Sequence, residues 1–116
     1  MSEPLSRAWN WSEVPRERLP EGVVRQKVYG DRVMVCRLTI PAGTAMPAHR
    51  HPHEQITMVE SGRVRYVLGS EHRDFGPGDV ILLPGGFWHG AAMLDDVVLI
   101  DIFSPIREDF LEPQNV

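Results

Sequence analysis

The sequence predicts a small all-β domain, a sandwich or closed barrel of short strands. Its apolar residues fall in brief runs bounded by turn residues. Ten glycines and ten prolines punctuate 116 residues, and no stretch sustains a helical period. At 13.1 kDa the chain has the size of one compact domain.

Residues 1–20 carry Trp9, Trp11, Pro4, Pro15 and Pro20 among charges. They are read as an arm that docks through its tryptophans on its own barrel or a neighbour's, since two exposed indoles would be costly. Residues 21–116 then form the barrel domain. Val23 to Val28 is a candidate strand, with a turn at Tyr29-Gly30-Asp31-Arg32. Val33 to Ile40 alternates and stops at Pro41-Ala42-Gly43. Gln55 to Glu60 precedes the Ser61-Gly62 turn, and Arg63 to Leu68 precedes Gly69-Ser70. His72, among Glu71, Arg73 and Asp74, reads as a hairpin tip. Phe75 to Asp79 is a tight turn, Val80 to Leu83 a strand, and Pro84-Gly85-Gly86 a break. Val97 to Phe103 is the last and most apolar strand. Ile106 to Leu111 fits one helical turn stopped by Pro113.

Composition narrows the function classes. A net charge of −4 and a pI near 5.7 argue against nucleic-acid binding. The longest purely apolar runs, Val80 to Leu83 and Val97 to Ile100, fall far short of a bilayer span. Met1 to Asn10 lacks an apolar signal-peptide core, and the single cysteine, Cys36, forbids an internal disulfide, so a reducing cytoplasm is expected.

Four of the five histidines lie in two clusters, His49-Arg50-His51-Pro52-His53-Glu54-Gln55 and Pro84-Gly85-Gly86-Phe87-Trp88-His89. On a strand, His49 and His51 would share a face, and Gln55 has the same parity. Imidazoles from two segments plus an amide oxygen can converge on one ion. As isolated turn residues, His49 and His51 would fit a surface role equally well. His53, beside Pro52, and His72 read as structural.

These clusters resemble both signature motifs of the cupin superfamily. Gly43, His49, His51, Gln55 and Gly62 meet every spacing of the first motif, and Gly78, Pro84, Gly86 and His89 every spacing of the second. The asparagine usual four positions after that last histidine is Met93 here. The resemblance implies a small single-domain jelly-roll barrel with a metal in its mouth, held by His49, His51, Gln55 and His89. Zn, Ni, Mn and Fe all suit such a donor set. Most metal cupins carry glutamate where Gln55 stands, so this site would keep a formal charge of +2, a stronger Lewis acid and a weaker holder of metal. Glu54 is the neighbouring competitor, but parity and the step to Gly62 favour Gln55.

A narrower resemblance joins His51 to Gln55 with Asp101-Ile-Phe-Ser-Pro-Ile-Arg-Glu-Asp-Phe-Leu111. Both are similar to the pectin-degradation cupins, which ketonise 4,5-unsaturated uronate monosaccharides. It implies catalytic roles for Asp101, Arg107 and Phe103: acid or base, holder of the substrate carboxylate, and wall. Parity puts Asp101, Phe103 and Leu99 on one face of a strand but leaves open which one. Arg25, Arg65 and Trp88 are further pocket candidates for which structural roles are favoured. Competing readings are an Fe-dependent cupin dioxygenase and a non-catalytic cupin binding a small acid or sugar. The expected partners are an acidic sugar and a second copy of the chain, since small cupins pair through their sheets and the Trp9/Trp11 arm suits that contact.

Overall fold

The computed structural model describes residues 6–111; residues 1–5 of the arm and Pro113 lie outside them. Ten strands and three 3-10 turns make up the described chain. Glu17–Arg18 (β1), Val24–Tyr29 (β2), Met34–Ile40 (β3), Val97–Ser104 (β10), Glu54–Ser61 (β5) and Val80–Leu83 (β8) form one sheet, in the order β1-β2-β3-β10-β5-β8. Ala45–His49 (β4), His89–Met93 (β9), Val64–Leu68 (β6) and Glu71–Phe75 (β7) form the other, in the order β4-β9-β6-β7. Every pairing is antiparallel. The chain crosses repeatedly between the two sheets, as a jelly roll does.

Alternation along the strands builds the interior. On β10, Val97, Leu99, Asp101 and Phe103 are buried while Val98, Ile100 and Ile102 lie half-buried on the outer face. Ile40, Val59, Val64, Leu83, Val97 and Leu99 form the heart of the main core. Met34, Cys36 and Phe103 form a smaller cluster, against which Ile106 and Phe110 pack. The β5–β6 turn needs Gly62, because its φ is 79° and a Cβ there would collide with the Asp96 carbonyl.

Two strands depart from the sequence reading. β4 contains Pro47, which would break a central ladder but is tolerated on the sheet edge where β4 lies. β7 was expected as a hairpin tip, yet His72 pairs with Val67 in a regular ladder. Its charges reflect an edge strand, where Glu, Arg and Asp discourage further pairing. The arm is tied down by main chain and by Val14: Gln26 Nε2 donates to the Trp11 and Val14 carbonyls at 2.6 and 2.9 Å. Val14 is buried, while Trp9 remains 50% exposed. The C-terminal helical turn is a 3-10 turn over Glu108–Leu111.

Candidate metal centre

Neighbouring strand ends bring the histidines together. His49 closes β4 directly opposite His89, the first residue of β9. His51 does not continue β4 as alternation predicted. It belongs to the loop 50–53, where Pro52 has no N–H to extend a ladder. The loop turns inward and is pinned there, since Gly86 N–H donates to the His51 carbonyl at 2.8 Å. Close approach also requires Gly85, whose Cβ would strike the Pro52 carbonyl. The three rings lie with centroids 4.4 to 5.7 Å apart, and one donor atom from each falls within 4.8 Å of the others.

Main chain sets each ring. Nδ1 of His49 lies 3.0 Å from the Pro47 carbonyl, that of His51 3.1 Å from the His53 carbonyl, and that of His89 2.9 Å from the Phe87 carbonyl. A carbonyl only accepts, so each Nδ1 carries the hydrogen and each Nε2 is left as a lone pair. Backbone fixing of the tautomer in this way is how metal-ligating histidines are oriented. His51 and His89 are held below the ordinary histidine pKa, first by burial. Neutral rings are the form that binds metal.

His51 also faces the Gln55 amide oxygen, with Nε2 to Oε1 at 3.0 Å. A neutral imidazole has one N–H for two acceptors, the His53 carbonyl and Gln55 Oε1, and burial opposes a second proton. A cation seated between Nε2 and Oε1 removes that conflict. The donor set of three imidazole nitrogens and one amide oxygen thus fits a divalent transition metal and could hold one.

Asp101 faces the barrel interior, resolving what parity left open. It lines a narrow cavity of about 50 Å³ together with His49, Gln55, Tyr66, His89 and Phe103. Gln55 Nε2 donates to Thr57 Oγ1 at 2.9 Å, and Thr57 Oγ1 donates to Asp101 Oδ1 at 2.7 Å. Burial pushes the Asp101 carboxyl up to about 6, against the opposing pull of the Thr57 hydroxyl and the nearby Gln55 amide. Cys36, opposite Asp101 on β3, is pushed up to about 12, chiefly by burial, so it stays a thiol near neutrality. Thr57 and Tyr66 were missed in the sequence. Thr57 shares the parity of Gln55 and Val59 on β5, and a polar side chain in that inward series was a readable signal.

Arg107 stands outside this cavity, at its rim. Its guanidinium lies 5.1 Å from the Phe103 ring centroid and 4.2 Å from that of Phe110, and it pairs with Asp109 at 2.8 Å. It lines a cleft of about 600 Å³ with Arg50, His51, His53 and Glu108. The buried His53 Nδ1 has no partner among the described residues. Its carbonyl, not its ring, serves the centre. Arg25, Arg65 and Trp88 do not line the inner cavity. Arg25 pairs with Glu17 and covers Phe110, Arg65 pairs with Asp74, and Trp88 is exposed beneath Arg50. A groove of about 630 Å³ beside Trp9 and Val28 lies elsewhere and gathers no comparable donor cluster.

Residues 36–103 match the profile of the Cupin domain family. The pectin degradation protein KdgF of Dickeya dadantii is 34% identical over 102 residues, covering 85% of this chain and 93% of that protein. The structure of KdgF from Halomonas sp. superposes with a TM-score of 0.81 at 30% identity, covering 85% of this chain and 94% of that one. An RmlC-like cupin from Shewanella frigidimarina gives a TM-score of 0.82 at 28% identity, covering 94% and 96%.

Proposed function

The chain belongs to the cupin family, and on that footing we propose that it is a metal-dependent enzyme that opens and ketonises 4,5-unsaturated uronates released from pectin or alginate. The observation that carries this reading is the cavity in which a buried carboxyl, Asp101, meets three convergent imidazoles and the Gln55 amide. The similarity to the pectin degradation protein KdgF of Dickeya dadantii, and to a solved KdgF, supports the substrate class.

The reaction is an isomerisation and needs no co-substrate. Opening the hemiacetal breaks the bond between C1 and the ring oxygen, leaving an aldehyde at C1 and an enol at C5. The enol then loses its hydroxyl proton while C4 gains one, giving the ketone. Bound by His49, His51, Gln55 and His89, a divalent metal would supply Lewis-acid polarisation of sugar oxygens. Asp101 carries the proton to C4, and its raised pKa of about 6 suits a group that must both take and give a proton near neutrality. Phe103 walls the cavity, and its ring supports Arg107. Arg107 uses Nε and one Nη on Asp109, leaving its other Nη for the sugar carboxylate. The inner cavity of about 50 Å³ takes an ion and a water or two, so the sugar ring lies across the mouth toward the cleft by Arg107.

We also assign a second copy of the chain as partner. The outer face of the larger sheet carries two apolar rows, Leu82-Ile56-Ile102 and Val80-Met58-Ile100, aligned by strand register. Val80 and Leu82 are 62% and 58% exposed, a patch suited to pairing. A single, buried, unpaired Cys36 agrees with a cytoplasmic location.

The test is kinetic. Freshly generated 4,5-unsaturated galacturonate loses its conjugated absorbance spontaneously, and metal-loaded protein should accelerate that loss. His89→Ala and Asp101→Asn should each abolish the acceleration. Failure of the loaded wild-type protein to accelerate it would overturn the reading.

A further inference from the structure

Gln55 stands where most metal cupins carry glutamate, and its neighbour supplies a reason. Thr57 is fully buried between Gln55 and Asp101. A hydroxyl has one hydrogen and two lone pairs. The hydrogen of Thr57 goes to Asp101 Oδ1 at 2.7 Å, so toward residue 55 it can only accept. The group it accepts from is Gln55 Nε2, at 2.9 Å. A carboxylate at position 55 has no hydrogen to give, and it would leave two carboxylates competing for one hydroxyl hydrogen. The amide, once its NH₂ is committed to Thr57, turns its carbonyl oxygen the other way, to within 3.0 Å of His51 Nε2.

We infer that Thr57 is a positioning residue that selects glutamine at position 55 and aims the Gln55 carbonyl oxygen at the three histidines, because its only hydrogen is spent on Asp101. The chain runs in one direction, from the Gln55 amide through Thr57 to the Asp101 carboxylate. It joins the ligand set to the acid–base group without either touching the sugar through Thr57. This rests on the preceding reading only in taking Gln55 as a metal ligand and Asp101 as a carboxylate; it requires no turnover.

The chain contains three glutamines, Gln26, Gln55 and Gln114, so selective ¹⁵N labelling resolves their side-chain amides. In the metal-free wild-type protein the Gln55 NH₂ should exchange with water much more slowly than a free amide. An amide that exchanges freely overturns the inference with no variant needed. Thr57→Val, of similar shape, should lose that protection and bind Zn²⁺ about 10- to 100-fold more weakly by calorimetry. Thr57→Ser should restore both to near wild type. Asp101→Asn, whose amide oxygen can still accept from Thr57, should keep Zn²⁺ affinity within a few-fold. Wild-type affinity and an unchanged Gln55 signal in Thr57→Val would overturn it. The two readings fail separately: a protein inactive on unsaturated uronate with a protected Gln55 amide sinks only the proposed reaction. An active one with a freely exchanging amide sinks only the role of Thr57.

Discussion

Burial makes the ionised form of Asp101 costly to the fold. Its carboxyl titrates near 6 when folded and near 3.9 in an unfolded chain. Between those values the folded state binds more protons, so the contribution of Asp101 to stability is fully present below about pH 4 and is lost as pH rises through 6. His51 and His89 act the other way. Their folded pKa values lie below the unfolded one, so stability from their neutral rings is lost as pH falls below about 6.5. Comparing metal-free wild type with Asp101→Asn isolates the carboxyl. Urea unfolding should show wild type losing up to about 3 kcal/mol relative to the variant between pH 4 and pH 7. A difference that does not change with pH would contradict a buried, titrating Asp101. At this scale the sequence was legible wherever chemistry sits at fixed spacing, as in His49, His51, Gln55 and His89. For Thr57 the inward parity was readable but the role was not, because a lone threonine in an alternating strand resembles any other β-former until its hydrogen-bond partners are known.

Among the elements, the loop 50–53 and the β8–β9 turn fix one another. Gly85→Ala should push the loop outward through the Pro52 carbonyl and carry His51 with it. Calorimetry should then show Zn²⁺ affinity down about tenfold or more. Gly43→Ala is the control. Its φ of 83° makes alanine strained by about 1–2 kcal/mol, but its Cβ would meet open space. It should lower the melting temperature and leave affinity unchanged; equal affinity losses in both variants would remove the loop from the argument. Six strands were readable because apolar alternation and glycine breaks coincide there. β9 was marked only at its start by His89, and β1, β4 and β7 were not read, because all three are edge strands, one of two residues, one carrying Pro47 and one built of charges. Sequence patterning reports burial more directly than pairing, and an edge strand pairs with little burial.

For the molecule as a whole, the exposed rows on the larger sheet bear on assembly. Sedimentation at micromolar concentration should give twice the 13.1 kDa chain mass. Leu82→Lys, at the edge of those rows and on the sheet face turned away from the cavity, should shift the mass to one chain and leave Zn²⁺ affinity intact. A monomeric wild type, or a dimeric Leu82→Lys protein, would assign the patch no such role. The all-β class was legible from strand count and turn spacing and the jelly roll from the resemblance of the two histidine motifs, whereas the exposed apolar rows were not, since outward residues of a half-exposed sheet read like ordinary strand residues. One feature of the centre reaches further. The groups that hold the three imidazoles are the carbonyls of Pro47, His53 and Phe87, and a carbonyl is the same in every amino acid. The convergence of the three rings is therefore written in chain path rather than in the identity of the residues that hold them. The cavity wall at Tyr66, Ala91 or Phe103 can thus change its side chains while the three rings keep their orientation.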